Sequence, residues 1–209
     1  MDTLLLREFL RNPTGIAAIT PSSTAVATLL SMAIPQRGEP VVVELGAGTG
    51  ACTGVILHRL GGRGHHIAVE VNPTFAQLLR KRFHHVEVVC GEAKDLPTFL
   101  ADRAIPSADV IISTLPWAAF APSAAPRPLL VTLIQSLSDA GAYIQVAYSL
   151  TRWAPPARRQ LRQLRASFEE VIVSETIWRN VPPARAYIAR RPRSRQEATG
   201  RTVHQGRTD

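Results

Sequence analysis

"EVIVSETIWRNVPPARAYIARR", residues 170–191, contains two runs of β-branched and aromatic residues, 170–178 and 184–191, separated by RNVPP alone. So short a link cannot hold the crossover that joins parallel strands, which takes roughly a dozen residues or more, so the two runs are expected to pair antiparallel. Upstream, five shorter runs recur: VVVEL (41–45), IAVEV (67–71), VEVVC (86–90), DVIIST (109–114) and AYIQVAY (142–148). Each is almost continuously apolar, as a strand buried on both faces of a parallel sheet should be. Helical patterns fall between them at about 51–60, 74–83, 94–103 and 127–139, and an arginine-rich one at 156–166 precedes the final pair. This alternation predicts an α/β fold, a doubly wound and mostly parallel sheet of seven strands that ends in an antiparallel hairpin.

The chain has 209 residues, of which 45% are hydrophobic, in keeping with one globular domain and its appendages. No run approaches the ~18 apolar residues of a membrane span. Asp2 stands where a secretory leader would be basic, and no small-residue cleavage site follows. Cys52 and Cys90 are expected as structural thiols, and no metal site is expected. The formal net charge of +8, mostly arginine, points to a polyanionic partner, either nucleic acid or an anionic membrane surface. Part of the excess lies in 191–209, which has no apolar periodicity and is expected to be a solvated tail. Three regions follow: an N-terminal helix and covering segment (1–30), the α/β domain (31–191) and a basic disordered tail (192–209). Within the first, Leu5, Leu6, Phe9 and Leu10 form one helical stripe flanked by Arg7 and Arg11, and Asn12-Pro13 ends it. That helix is either an interfacial anchor or a cover over the sheet. Arg158, Arg159, Arg162 and Arg165 recur on the 156–166 helix, just after Arg152 and Trp153. They form a solvated face, or one basic surface together with the N-terminal arginines.

The first strand runs into ELGAGTGACTG. Gly46, Gly48 and Gly50 let the backbone turn sharply and present N–H groups to a ligand at a helix N-terminus. The spacing also satisfies a dinucleotide fingerprint, so the neighbouring residues decide the ligand. Glu44 would repel a pyrophosphate but suits an amino group. Glu70, ending the second strand, suits ribose hydroxyls, and Glu92-Ala93 after the third strand suits the exocyclic amine of adenine. Amino acid, ribose and adenine without phosphate describe S-adenosylmethionine, and a sheet of this order with this ligand is that of a class I methyltransferase. STLPWAAF (113–120), ending the fourth strand, stands where a methyl acceptor must lie. There Ser113 can accept a hydrogen bond and Trp117 can offer a π face to a developing ammonium. The pairs His65-His66 and His84-His85 are expected in solvent, away from the chemistry.

From about Phe9 to Arg191 the chain resembles bacterial phospholipid N-methyltransferases. FLRNPTGIAAITPSS (9–23), ELGAGTGACT, STLP, YIQVAYS (143–149) and RNVPPA (179–184) carry the resemblance. Ala17, Thr24 and Thr114 depart from it, the last standing where glycine is usual, so a narrower acceptor pocket is expected. The resemblance implies a Rossmann-like class I fold and transfer of methyl groups from S-adenosylmethionine to the amine of phosphatidylethanolamine, in some members onward to phosphatidylcholine. It also implies a cytoplasmic protein attached peripherally to the membrane, through residues 1–12 and the 156–166 helix. Carried over by position, it puts Ser22, Ser23 and Val71 at the cofactor with the glycine loop, and Ser113, Leu115, Pro116 and Tyr148 at the reacting amine. Trp117, Arg179 and Asn180 would adjoin the headgroup. The Tyr148 hydroxyl would hold the phosphate, or else Tyr148 is a satisfied aromatic at a strand end. A monomer without nucleic acid is expected. The rivals are a methyltransferase for a soluble amine, one for RNA adenine, and a non-catalytic cofactor-binding module.

Overall fold

The computed structural model describes residues 23–115 and 129–193. The expected helix over 1–12 and the tail beyond 193 lie outside them. In chain order the elements are α1 (Thr24–Ser31), β1 (Val41–Leu45), α2 (Ala51–Leu60), β2 (His65–Glu70), α3 (Pro73–Arg82) and β3 (Glu87–Cys90). A 3₁₀ turn (Ala93–Asp95) then leads into α4 (Leu96–Ala101), β4 (Ala108–Ser113), α5 (Leu129–Gln135) and β5 (Leu137–Tyr148). A second 3₁₀ turn (Ser149–Thr151) precedes α6 (Pro155–Ser167), β6 (Phe168–Val173) and β7 (Ala184–Pro192).

The seven strands form one sheet in the order β3-β2-β1-β4-β5-β7-β6. The first five are parallel, and β7 runs antiparallel to both of its neighbours, β5 and β6. The hairpin therefore folds back so that its second strand enters the sheet beside β5. Ala147 pairs with Arg185 and Tyr148 with Ala184.

Alternation along the strands divides the core between the two faces. Val43, Ile67 and Ile111 pack with Leu100 of α4, Leu133 of α5 and Leu164 of α6. Val42, Val110 and Ile144 pack on the other face with Val26 and Leu30 of α1 and Ile56 of α2. α1 lies in the stretch expected as a covering segment, but it belongs to this core: Val26, Ala27 and Leu30 are buried. The Ser23 hydroxyl accepts from Val26 N–H and caps the helix.

The boundaries differ most from the sequence pattern at the α5–β5 junction and at the end of β6. The helix expected at about 127–139 stops at Gln135, and Leu137 already pairs with Ala108 in the sheet. β6 stops at Val173, because the Ser174 side chain then accepts from Ala186 N–H at 2.9 Å and the chain turns away. Cys52 is buried and Cys90 exposed, and neither is in a disulfide.

Gly50 joins the glycine loop to α2 at φ 90°, and a Cβ there would sit 2.4 Å from a ring carbon of Phe83. Gly50→Ala combines a left-handed penalty with overpacking, so a loss of about 2–4 kcal/mol is expected. Urea denaturation should show it as a lower midpoint at constant slope. An unchanged midpoint would mean that the loop readjusts freely.

Candidate active site

The carboxyl ends of β1 to β5 share one edge of the sheet, and the strand order reverses there between β1 and β4. Open α/β sheets bind their ligands at such a reversal. The glycine loop leaves β1 with Gly46 N–H donating to Val69 O at 2.9 Å. Gly48 N–H then donates to Glu70 Oε2 at 2.8 Å, and Asn72 N–H donates to Glu70 Oε1 at 2.8 Å. Gly48 adopts φ 56°, and a Cβ there would meet no atom closer than 4.0 Å, so this side of the loop has room beside it. Burial raises the Glu70 carboxyl above its usual range, against the opposing pull of the Asn72 and Gly48 N–H groups. Val71, the next residue, is largely exposed at the strand end. Across β3, Glu92 forms an ion pair with Lys94 at 2.9 Å in the first 3₁₀ turn, and Ala93 packs against the core.

Glu44 is fully buried on the α2 side of β1. Its Oε2 accepts from the Thr53 hydroxyl at 2.8 Å, and His66 Nε2 lies 3.2 Å from the same oxygen. Oε1 has no partner, nor has His66 Nδ1. A buried carboxylate oxygen without a donor is costly, so this atom is a place for a ligand's N–H. The expectation of a solvated His65-His66 pair is thereby corrected for His66. Alternation sends His65 to the surface, where it bonds to Glu87 at 2.7 Å, and turns His66 inward beside Glu44. His84 and His85 are exposed as expected.

The β4 end closes the site from the other side. Ser113 is buried, and its hydroxyl accepts from Leu115 N–H at 3.4 Å. The Thr114 hydroxyl donates to Gly46 O at 2.6 Å, so the residue that replaces the expected glycine ties the end of β4 directly to the glycine loop. The side chain of Leu115 lies against Gly46: a Cβ on that glycine would be 3.0 Å from Leu115 Cδ2. Leu115 O accepts from Gln145 Nε2 at 3.0 Å, while Gln145 Oε1 accepts from the Tyr143 hydroxyl at 2.7 Å.

Gln145, fully buried, was missed as a site residue, although an amide in an otherwise apolar strand pattern was a signal available. Thr53, His66 and Arg185 were missed as well. Arg185 Nε donates to Ser149 Oγ at 3.2 Å and Nη2 to Thr176 Oγ1 at 3.1 Å, and no carboxylate among the described residues pairs with it. Tyr148 is half-buried at the end of β5, and burial raises its hydroxyl pKa. Arg179 is exposed. Asn180 is buried, with Oδ1 accepting from Ser23 N–H at 2.8 Å and Nδ2 donating to Pro182 O at 2.7 Å. Asn180 thus latches the start of α1 to the β6–β7 connection, and the Ser23 hydroxyl is engaged in capping. Ser22, Pro116 and Trp117 lie outside the described residues.

Residues 42–141 match the model of a methyltransferase domain. An ornithine lipid N-methyltransferase of Singulisphaera acidiphila is 36% identical over 190 residues, covering 90% of this chain and 94% of that one. The chain belongs to the lipid N-methyltransferases of the class I S-adenosylmethionine-dependent family. Two solved structures share its fold at low identity. Human methyltransferase-like protein 13, in complex with S-adenosylhomocysteine, superposes with a TM-score of 0.55 at 18% identity, over 89% of this chain and 91% of that one. An S-adenosylmethionine-dependent O-methyltransferase of Thermotoga maritima superposes with 0.58 at 14%, over 81% of this chain and 66% of that one. The enzyme's cofactor is S-adenosylmethionine, and the residues at this edge suit it in kind. The cofactor brings an ammonium, which the unpartnered Glu44 oxygen lacks, and two ribose hydroxyls, for which a buried carboxylate is a natural acceptor.

Proposed function

We propose that the enzyme transfers the methyl group of S-adenosylmethionine to the primary amine of phosphatidylethanolamine at a membrane surface. The observation that carries this reading is the Leu115 carbonyl, held by Gln145 beside the glycine loop. A carbonyl oxygen has two lone pairs, so one remains to orient an incoming amine N–H. Ornithine lipid is the second reading, favoured by the Singulisphaera relative. Both lipids carry an anionic group near the amine, and Arg185, without a carboxylate partner, is a fitting receiver for it.

In this proposal Glu70 takes the ribose hydroxyls, Glu44 the ammonium, and Val71 and Glu92-Ala93 the adenine. Ser22 and Ser23 line the rim, and Gly46, Gly48 and Gly50 allow close approach. The cofactor supplies a methyl group on a sulfonium that leaves as a neutral thioether. The acceptor ammonium first loses a proton to water, since only the neutral amine has a lone pair. The chain's own contribution would be mainly alignment of that neutral amine, through the Leu115 carbonyl. Ser113, Leu115 and Pro116 border the amine, and Trp117, Tyr148, Arg179 and Asn180 the headgroup. No helix among the described residues is long and apolar enough to cross a membrane. Membrane attachment is assigned to residues 1–12 and to the exposed arginines 158, 159, 162 and 165 of α6, on the cytoplasmic side.

Labelled methyl transfer to vesicles containing phosphatidylethanolamine or ornithine lipid, with and without an anionic lipid, tests the reading. Label in phosphatidylethanolamine, rising with anionic content, is the expected result. Label in ornithine lipid alone would move the acceptor to the second reading. Cofactor binding with no labelled lipid would overturn both.

A further inference from the structure

Beyond the site itself, the same sheet edge carries an apolar surface that no step above uses. Eight large apolar residues are exposed among the described residues, and four of them fall in two short segments. Leu150 and Trp153, 68% and 72% exposed, follow β5; Trp178 and Val181, each 71% exposed, precede β7. Register explains why the segments meet. β5 and β6 end at this edge and β7 begins there, with Tyr148 paired to Ala184 and Ile177 bridged to Ala184. The join is made rigid by polar contacts beneath it. Ser149 N–H donates to Pro183 O at 2.8 Å, Ser149 Oγ and Thr176 Oγ1 lie 3.0 Å apart, and Arg185 bonds to both hydroxyls.

Charge and side-chain type select the partner. The Arg152 guanidinium lies 4.7 Å over the Trp153 ring, and Arg179 follows Trp178 directly. Both arginines are exposed and neither forms an ion pair among the described residues; Glu175 is the exposed acid of these segments. Indoles and aliphatic side chains fringed by guanidinium groups suit the boundary between acyl chains and anionic headgroups, where each indole keeps a wet edge and each arginine meets a phosphate. A membrane docked here would lie against the edge where the acceptor must enter.

We propose that Leu150, Trp153, Trp178 and Val181, with Arg152 and Arg179, form a surface that inserts into an anionic lipid bilayer. This rests on the lipid-acceptor reading for its purpose but is tested independently of it. The surface is distinct from residues 1–12 and from the outer face of α6.

The test uses the full chain and vesicles of phosphatidylglycerol and phosphatidylcholine, which contain no primary amine. With Trp117→Phe removing the third indole, emission should shift to the blue on adding vesicles and be quenched by brominated acyl chains. In the background that keeps Trp117, Trp153→Ala with Trp178→Ala should weaken vesicle partition by about tenfold or more. That variant should keep methyl transfer to acceptor lipid dispersed in detergent. The two residues are on the surface, and the quenching measurement requires neither alanine change, so misfolding cannot mimic the result. Unquenched emission with unchanged partition overturns the proposal. So does emission already blue-shifted without vesicles: if it depends on protein concentration, a second copy covers the face, and if not, the chain covers it itself. Quenching with no labelled lipid in vesicles or detergent leaves this surface standing and removes the acceptor assignment alone.

Discussion

Glu70→Ala is expected to weaken S-adenosylmethionine binding by on the order of a hundredfold, since hydrogen bonds to a charged group contribute about 1.5–3 kcal/mol each. The carboxylate is already held by Gly48 N–H and Asn72 N–H, one on each oxygen. Its loss therefore removes the proposed ribose acceptor and also loosens the turn that shapes the loop. Calorimetric titration of cofactor into wild type and variant measures the effect. A loss within about twofold would remove Glu70 from the cofactor site.

The same residue sets a pH dependence. Burial places the folded-state pKa of Glu70 above its unfolded value. Its contribution to the stability of the cofactor-free protein is therefore present below the unfolded pKa and lost as pH rises through the raised folded pKa. Cofactor binding runs the other way, because the ionised carboxylate is the better acceptor. Affinity should fall as pH drops toward the raised pKa, beginning above the range in which an exposed glutamate titrates. Glu70→Gln should bind weakly and without that acid limb.

Gln145→Leu is expected to lower kcat/KM for the acceptor by roughly ten- to a hundredfold, the effect of misplacing a positioned group. Cofactor affinity should remain within about twofold, since Gln145 touches Leu115 and not the glycine loop. The substitution removes the donor that holds Leu115 O and the acceptor for the buried Tyr143 hydroxyl. A stability loss of about 1–3 kcal/mol should accompany it, from buried polar groups losing partners. The combined readout is decisive: destabilisation with unchanged kcat/KM would make Gln145 a core residue only. Gln145→Glu provides a second check, as a carboxylate cannot donate to the Leu115 carbonyl.

The sheet was legible because its information is local. Each parallel strand is an apolar run of a few residues, and RNVPP is too short for anything but an antiparallel return. β1 ends at Leu45, where its apolar run ends, whereas β2 begins at His65 and ends at Glu70, shifted from the run at 67–71. Boundaries were less legible: Leu137 falls within the helix expected at about 127–139, and only its pairing with Ala108 assigns it to the sheet.

What tertiary structure alone decided is pairing over long sequence separation. Alternation puts His65 and His66 on opposite faces of the sheet, but only the register of β2 against β1 sets His66 beside Glu44. Gln145 gains its meaning from Leu115, thirty positions away, and Asn180 from Ser23, at a separation of 157. Trp153 and Trp178 look like isolated aromatics in the chain, and the segments that carry them meet only because β7 enters the sheet between β5 and β6. Periodicity and spacing thus determine which segments are strands, while the residue types beside the glycine loop point to its ligand. The partners of buried polar groups, and the face left apolar at the sheet edge, are set by register, because a hydrogen bond or a shared surface depends on distance in space and not along the chain.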